Sequence, residues 1–112
     1  MMCTSVLIRY YMQKNQADRN ASEKRLKRLY KAILSLKTAE ECAAFMRDLC
    51  TVAELQAMAE RFSVAERIAK NTSYRAIADD VKTSTTTVTR VAHWFHHGRG
   101  GYPLVIARLQ KR

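Results

Sequence analysis

Hydroxyl side chains concentrate in one short stretch of this chain, from Thr83 to Thr89, and an arginine, Arg90, follows directly. A Ser or Thr hydroxyl can hydrogen-bond a base or a phosphate, a Thr methyl can contact the methyl of thymine, and Arg can bind guanine bidentately. We therefore predict base contacts from four residues: Thr85, Thr86, Thr89 and Arg90. The phosphate contacts are predicted from residues at the starts of two helices and the turn between them: Ser73, Tyr74, Arg75, Lys82 and Ser84.

The elements around this stretch have the spacing of a helix-turn-helix over about residues 73–97. The inward positions of the two helices are apolar, and Ala78 is small where the helices must cross; the set is Ile77, Ala78, Val81, Val88, Val91 and Phe95. The hydroxyl-rich residues 83–87 are either a DNA-contacting surface or only a helix cap and a loop. The apolar residues predict a core in both cases, so they do not decide between these two interpretations. The turn position that usually needs φ > 0 holds Lys82, which costs about 1 kcal/mol relative to glycine.

Composition favours an all-α fold for the 112-residue chain, because three glycines and one proline are too few for the turns of a β protein. Helical periodicity and caps predict about six helices in a single domain over residues 22–112. Thr38 with Glu41 and Thr51 with Glu54 have the form of capping boxes, and Asn71 is a helix stop. Residues 1–21 show no sustained period, so we predict a flexible basic N-terminal arm.

The net charge of +10 indicates a polyanionic partner, nucleic acid before membrane. Residues 1–37 carry nine basic and two acidic side chains, and residues 73–112 carry seven and two. The middle of the chain is slightly acidic and is interpreted as scaffold. One basic helix face is either a solvated surface or a phosphate clamp, and it consists of Lys24, Arg25, Lys27, Arg28 and Lys31.

Other constellations give no catalytic or metal site. His93, His96 and His97 could share a helix face, yet no spaced Cys/His pair accompanies them. Adjacent Asp79 and Asp80 point about 100° apart on a helix, which is poor geometry for acid–base work. We expect no enzyme and no cofactor. Three cysteines without a CxxC pair favour a reducing compartment, and no apolar run is long enough to span a bilayer, so a cytoplasmic protein without a membrane partner is expected.

Several segments together resemble the YerC/YecD group of Trp-repressor-like proteins over about residues 26–109. They are Ile33-Leu34-Ser35-Leu36-Lys37, Glu40-Glu41-Cys42, Phe45, Asp48-Leu49-Cys50-Thr51-Val52, Glu54-Leu55-Gln56, Arg61-Phe62-Ser63-Val64-Ala65 and Ser84-Thr85-Thr86-Thr87-Val88-Thr89-Arg90-Val91. The resemblance implies an all-helical, intertwined homodimer that presents one helix-turn-helix per subunit to successive major grooves of double-stranded DNA.

The resemblance also implies an effector pocket, since Arg61 and Arg90 fall where the family's two ligand-flanking arginines lie. Val91 and Trp94 replace smaller residues there, and they would fill the slot that an indole ligand occupies. We therefore expect that tryptophan does not bind, that no small-molecule corepressor acts, and that Trp94 is an internal plug.

These observations predict a sequence-specific DNA-binding transcriptional regulator, a repressor, that works as a homodimer. One alternative keeps the fold and discards specificity, giving a non-specific nucleic-acid or nucleoid binder in which RNA competes with DNA. Another is a protein-interaction module whose helix-turn-helix docks a protein.

Overall fold

The computed structural model describes residues 3–111, and all regular structure in that range is helical. The six helices are α1 Cys3–Leu34, α2 Ala39–Leu49, α3 Val52–Ala69, α4 Tyr74–Val81, α5 Thr85–His97 and α6 Gly101–Gln110. The predicted all-α class and helix number are confirmed. No helix in the described range is both long enough and apolar enough to cross a membrane.

Helix α1 corrects the sequence-based description of the N-terminus. Residues 3–21 were expected to be irregular, with a helix beginning at Ser22, but α1 begins at Cys3 and runs unbroken to Leu34. No glycine or proline interrupts residues 3–21, so a helix can form there. Periodicity missed it because the side chains from Val6 to Asn20 are all exposed, and a helix that buries no face needs no apolar stripe. Met1 and Met2 lie outside the described residues.

Two compact units make up the chain, one ending at Met46 and the other beginning at Arg47. The predicted boundary between residues 21 and 22 therefore falls inside a continuous helix. The second unit contains α3 to α6, and it holds every residue that the structure buries in its core.

Local hydrogen bonds set the helix starts as the sequence predicts. Thr51 Oγ1 accepts from the Glu54 N–H at 3.1 Å while the Glu54 carboxylate accepts from the Thr51 N–H at 2.8 Å, a complete capping box. These bonds hold the pKa of Glu54 below its ordinary value. The capping box of α2 differs in one hydrogen bond. Thr38 Oγ1 accepts from the Glu41 N–H, but the Glu41 carboxylate accepts from the N–H of Lys37, one residue before Thr38, at 2.9 Å.

The core of the second unit lies where α3 packs against α4, α5 and α6. Val64, Ile77 and Val88 are fully buried at its centre. Around them lie further buried aliphatic side chains, namely Ala65, Ile68, Ala78, Val91, Ala92 and Ile106. The predicted inward residues of the helix-turn-helix all belong here, since the remaining two, Val81 and Phe95, are half-buried against this core.

Candidate nucleic-acid interface

Helices α4 and α5 form two short elements joined by a turn whose conformation is left-handed. Lys82 ends α4 with φ 60° and ψ 49°, as its turn position predicted. The Thr83 N–H donates to the Ala78 carbonyl at 3.0 Å, which satisfies the end of α4 while the chain reverses. Ile77 of α4 and Val88 of α5 are fully buried between the helices and α3, so the two elements are held by one apolar seam.

The four predicted base-contacting residues lie on one exposed side of α5. Thr85, Thr86, Thr89 and Arg90 are all exposed, whereas the buried residues of the helix, Val88, Val91 and Ala92, lie on the opposite side. Thr89 Oγ1 donates to the Thr85 carbonyl at 2.9 Å, which leaves its methyl and acceptor lone pairs for other partners. The front of the helix is therefore hydroxyl-rich, with a single cationic side chain.

The five predicted phosphate-contacting residues are exposed at the starts of α4 and α5 and at the turn. Ser73 Oγ accepts from the Ala76 N–H at 3.2 Å, and Ser84 Oγ accepts from the Thr87 N–H at 3.1 Å. Both serines are N-caps, so each hydroxyl already has one intrahelical task. Tyr74 and Arg75 follow the first cap, and Lys82 precedes the second.

Arg61 of α3 and Arg90 of α5 line one cavity of about 270 Å³, as the resemblance implied. Its other lining residues are Ala57, Glu60, Thr87 and Val91. Trp94 does not line this cavity and is 61% exposed in the single chain. That it is an internal plug stays a prediction. One helical turn separates it from Arg90, which places its ring farther along α5.

The model of the Trp repressor protein family matches residues 24–110, a range that contains the whole of α2 to α6 and the last part of α1. The chain belongs to the Trp repressor family. The resemblance inferred from the sequence over about residues 26–109 is thereby confirmed, and the first two-thirds of α1 precede the matched region.

Three relatives support this family assignment. The uncharacterized protein YerC from Bacillus subtilis (strain 168) is 36% identical over 88 residues, which are 79% of this chain and 85% of YerC. A TrpR-like protein from Eubacterium eligens ATCC 27750 superimposes with a TM-score of 0.75 at 35% identity, covering 79% of this chain and 91% of its own. A proposed Trp repressor from Staphylococcus aureus gives 0.74 at 35% identity, covering 80% and 89%.

A second, larger cavity of this Trp repressor family member was not anticipated from its sequence. It has a volume of about 450 Å³ and is lined by Phe62, Trp94, Gly98, Arg99, Gly101, Tyr102 and Val105. The Phe95 and Tyr102 rings stack beside it, with centroids 6.4 Å apart. The cavity depends on how α6 folds back after Gly98, which no local sequence pattern reports.

The histidines of α5 lie together without forming a metal site. His93, His96 and His97 are exposed, and the His93 and His97 ring centroids are 5.3 Å apart. Within residues 3–111 no group of three or more His, Cys, Asp or Glu side chains is placed to hold a metal ion.

Proposed function

We propose that this Trp repressor family member is a sequence-specific, DNA-binding transcriptional regulator, a repressor, that acts as a homodimer. Helix α5 enters the major groove, where Thr85, Thr86, Thr89 and Arg90 read base edges. The family match supports this function, because the matched range includes all of α4 and α5.

The observation that carries the proposal is the exposed, hydroxyl-rich side of α5 on a pair of helices with a fully buried seam. Hydroxyls and cations can both bind phosphates, but the threonine methyl groups and the paired donors of arginine are also groups that distinguish one base from another. Thr89 contributes its methyl and lone pairs, because its proton is engaged by the Thr85 carbonyl. The buried seam keeps these side chains in fixed relative positions.

Phosphate contacts would orient the reading helix. The Thr85 and Thr86 backbone N–H groups belong to the first turn of α5, which leaves such donors without intrahelical partners and favours an anion. Arg75 in the first turn of α4 and Lys82 just before α5 add exposed positive charge. Ser73 and Tyr74 extend the same contact surface to the start of α4.

A homodimer is supported by apolar surface on the second unit that one chain leaves uncovered. Several large apolar side chains there are exposed: Leu49, Val52, Trp94, Leu104, Val105 and Leu109. Trp94 and Val105 also line the 450 Å³ cavity, so the apolar surface is concave at that point. A second copy of the chain that covered this apolar surface would remove it from water. Small domains bury little apolar area on their own, so this added burial would stabilise the fold.

Regulation by tryptophan is not part of the proposal. The cavity between Arg61 and Arg90 also contains the Glu60 side chain, which would repel the carboxylate of an amino acid. Val91, which is buried, occupies part of the wall. We expect DNA affinity to change less than about twofold when tryptophan is added.

The role assignment is tested by titrating full-length protein against an enriched duplex and a random duplex. Thr86→Ala and Arg90→Ala should reduce the preference for the enriched duplex, each by about 1–3 kcal/mol of discrimination. Lys111→Ala is the control, since it also removes one exposed positive charge but belongs to neither α4 nor α5. If both α5 variants keep the parent's preference, these residues do not read bases.

The net charge of +10 favours a second candidate, a non-specific nucleic-acid binder of the same fold. Such a protein would bind enriched and random duplexes and RNA equally, with a steep dependence on salt. Retention of an acidic protein at a salt concentration that releases all nucleic acid would instead favour a protein-docking role.

A further inference from the structure

The first turns of α1 carry a concentrated apolar surface that the proposed function does not use. Its six side chains are each between 51% and 65% exposed: Val6, Leu7, Ile8, Tyr10, Tyr11 and Met12. They precede residue 24, where the family match begins, so they are an addition to the family domain. We refer to these six residues as the α1 apolar patch.

The patch occupies most of the circumference of the first turns of α1, because Ile8 and Met12 lie about 100° round the helix from Leu7 and Tyr11. Leu7 and Tyr11 lie one turn apart on the same side of α1 as Val6 and Tyr10, and these four side chains line a shallow groove of about 360 Å³. A polar stripe at helical spacings of four, three and four runs along another side, formed by Arg9, Gln13, Gln16 and Asn20. Gln16 Nε2 donates to Asn20 Oδ1 at 3.2 Å within that stripe.

Charge indicates which kind of partner covers the patch. Helix α1 carries eight basic and only two acidic side chains. Two copies of α1 side by side would bring like charges together, which is unfavourable. Nucleic acid would accept the cations but offers no apolar phase for Leu7 and Tyr11. A bilayer with acidic headgroups satisfies both, because its surface is anionic and its acyl boundary is apolar.

We propose that the first part of α1 is a peripheral membrane-binding helix for acidic phospholipid surfaces. The α1 apolar patch enters the boundary between headgroups and acyl chains, with the tyrosines at headgroup level. Lys14, Arg19 and the cations from Lys24 to Lys31 attract the phosphates. The sequence expectation of no membrane partner rested on the lack of a spanning run, which a helix lying in the surface does not require.

The experiment is flotation of the full-length protein with vesicles of phosphatidylcholine containing about one third phosphatidylglycerol, and with vesicles of phosphatidylcholine alone. The parent should float with the acidic vesicles and stay behind with the neutral ones. Leu7→Gln combined with Tyr11→Gln should lower retention at least about tenfold, because two apolar side chains leave the patch. The matched control exchanges two residues of the polar stripe, Gln13→Asn with Asn20→Gln, and should float as the parent does.

Three results would overturn the proposal. The parent could fail to float with acidic vesicles, or the Leu7/Tyr11 variant could float as well as the parent, which would mean that charge alone holds the chain. The Leu7/Tyr11 variant could also have a changed sedimentation coefficient but unchanged retention with the vesicles. That result would show that a second copy of the chain covers the α1 apolar patch. Helicity is measured by circular dichroism on each protein, and Leu7→Ala with Tyr11→Ala replaces the Gln variant if that one loses helix. DNA titrations on the same proteins keep this test separate from the proposed function.

Discussion

Lys82 combines a conformational cost with a positive charge at the turn between α4 and α5. Its φ of 60° is a region that glycine adopts without penalty, so Lys82→Gly should raise the free energy of unfolding by up to about 1 kcal/mol. The same change should weaken binding to all duplexes alike and lower the slope of log affinity against log salt by about one. Denaturant unfolding and salt titrations measure the two effects.

Lys82→Ala is the control for this residue, because it removes the charge and keeps a side chain at positive φ. It should show the loss in salt slope without the gain in stability. A gain in stability from Lys82→Ala equal to that from Lys82→Gly would contradict the strain argument.

Glu54 gives the capping box of α3 a dependence on pH. Hydrogen bonds from Thr51 lower the pKa of Glu54 in the folded chain, so its stabilising effect is complete above the ordinary pKa of 4.5 and is lost as pH falls through the lower folded value. Glu54→Gln should therefore unfold more easily than the parent at neutral pH, and the difference should shrink as pH falls below 4.5. Thermal unfolding over a pH series measures it, and a difference that is constant with pH would contradict the assignment.

Gly98 determines how α5 connects to α6. A Cβ at this position would overlap the carbonyl oxygen of Trp94, which belongs to the helix backbone and cannot rotate away. Gly98→Ala should lower the free energy of unfolding by about 1–3 kcal/mol. Gly101→Ala is the matched control, since its Cβ meets nothing within 4 Å, and it should be close to neutral. Equal stability of the two variants would show that the junction tolerates a side chain.

Elements whose ends and faces are set locally could be predicted from the sequence. Ser73, Ser84 and Thr51 are caps, Asn71 adopts φ 60° just after α3, and Ile77 and Val88 form the seam, all as expected. Features that depend on contacts distant in the sequence, or that bury no apolar face, could not be predicted from the sequence. The helix over residues 3–21 buries no stripe, and the positions of Trp94 and the larger cavity depend on how α6 packs after the turn. The contacts of Thr85, Thr86, Thr89 and Arg90 with DNA stay a prediction.

At the scale of the whole molecule, Trp94 reports on dimer formation, because it is the only tryptophan of the chain. It is 61% exposed and lines the 450 Å³ cavity in one chain. If a second copy covers that cavity, tryptophan emission should shift to shorter wavelength as protein concentration rises through the dimer dissociation constant. Sedimentation equilibrium over the same range should show twice the monomer mass. If the protein is shown to be a dimer and Trp94 still emits at the wavelength of a solvent-exposed tryptophan, the dimer interface does not cover this cavity.

The central claim is that α4 and α5 read DNA sequence from a two-fold symmetric dimer. Selection of bound duplexes from a random library at near-physiological salt tests it most directly. We predict an enriched motif with two-fold symmetry whose half-sites lie about one helical turn apart, because two reading helices would enter successive major grooves. Recovery of duplexes without any enriched motif would contradict the claim and leave a non-specific binder driven by charge.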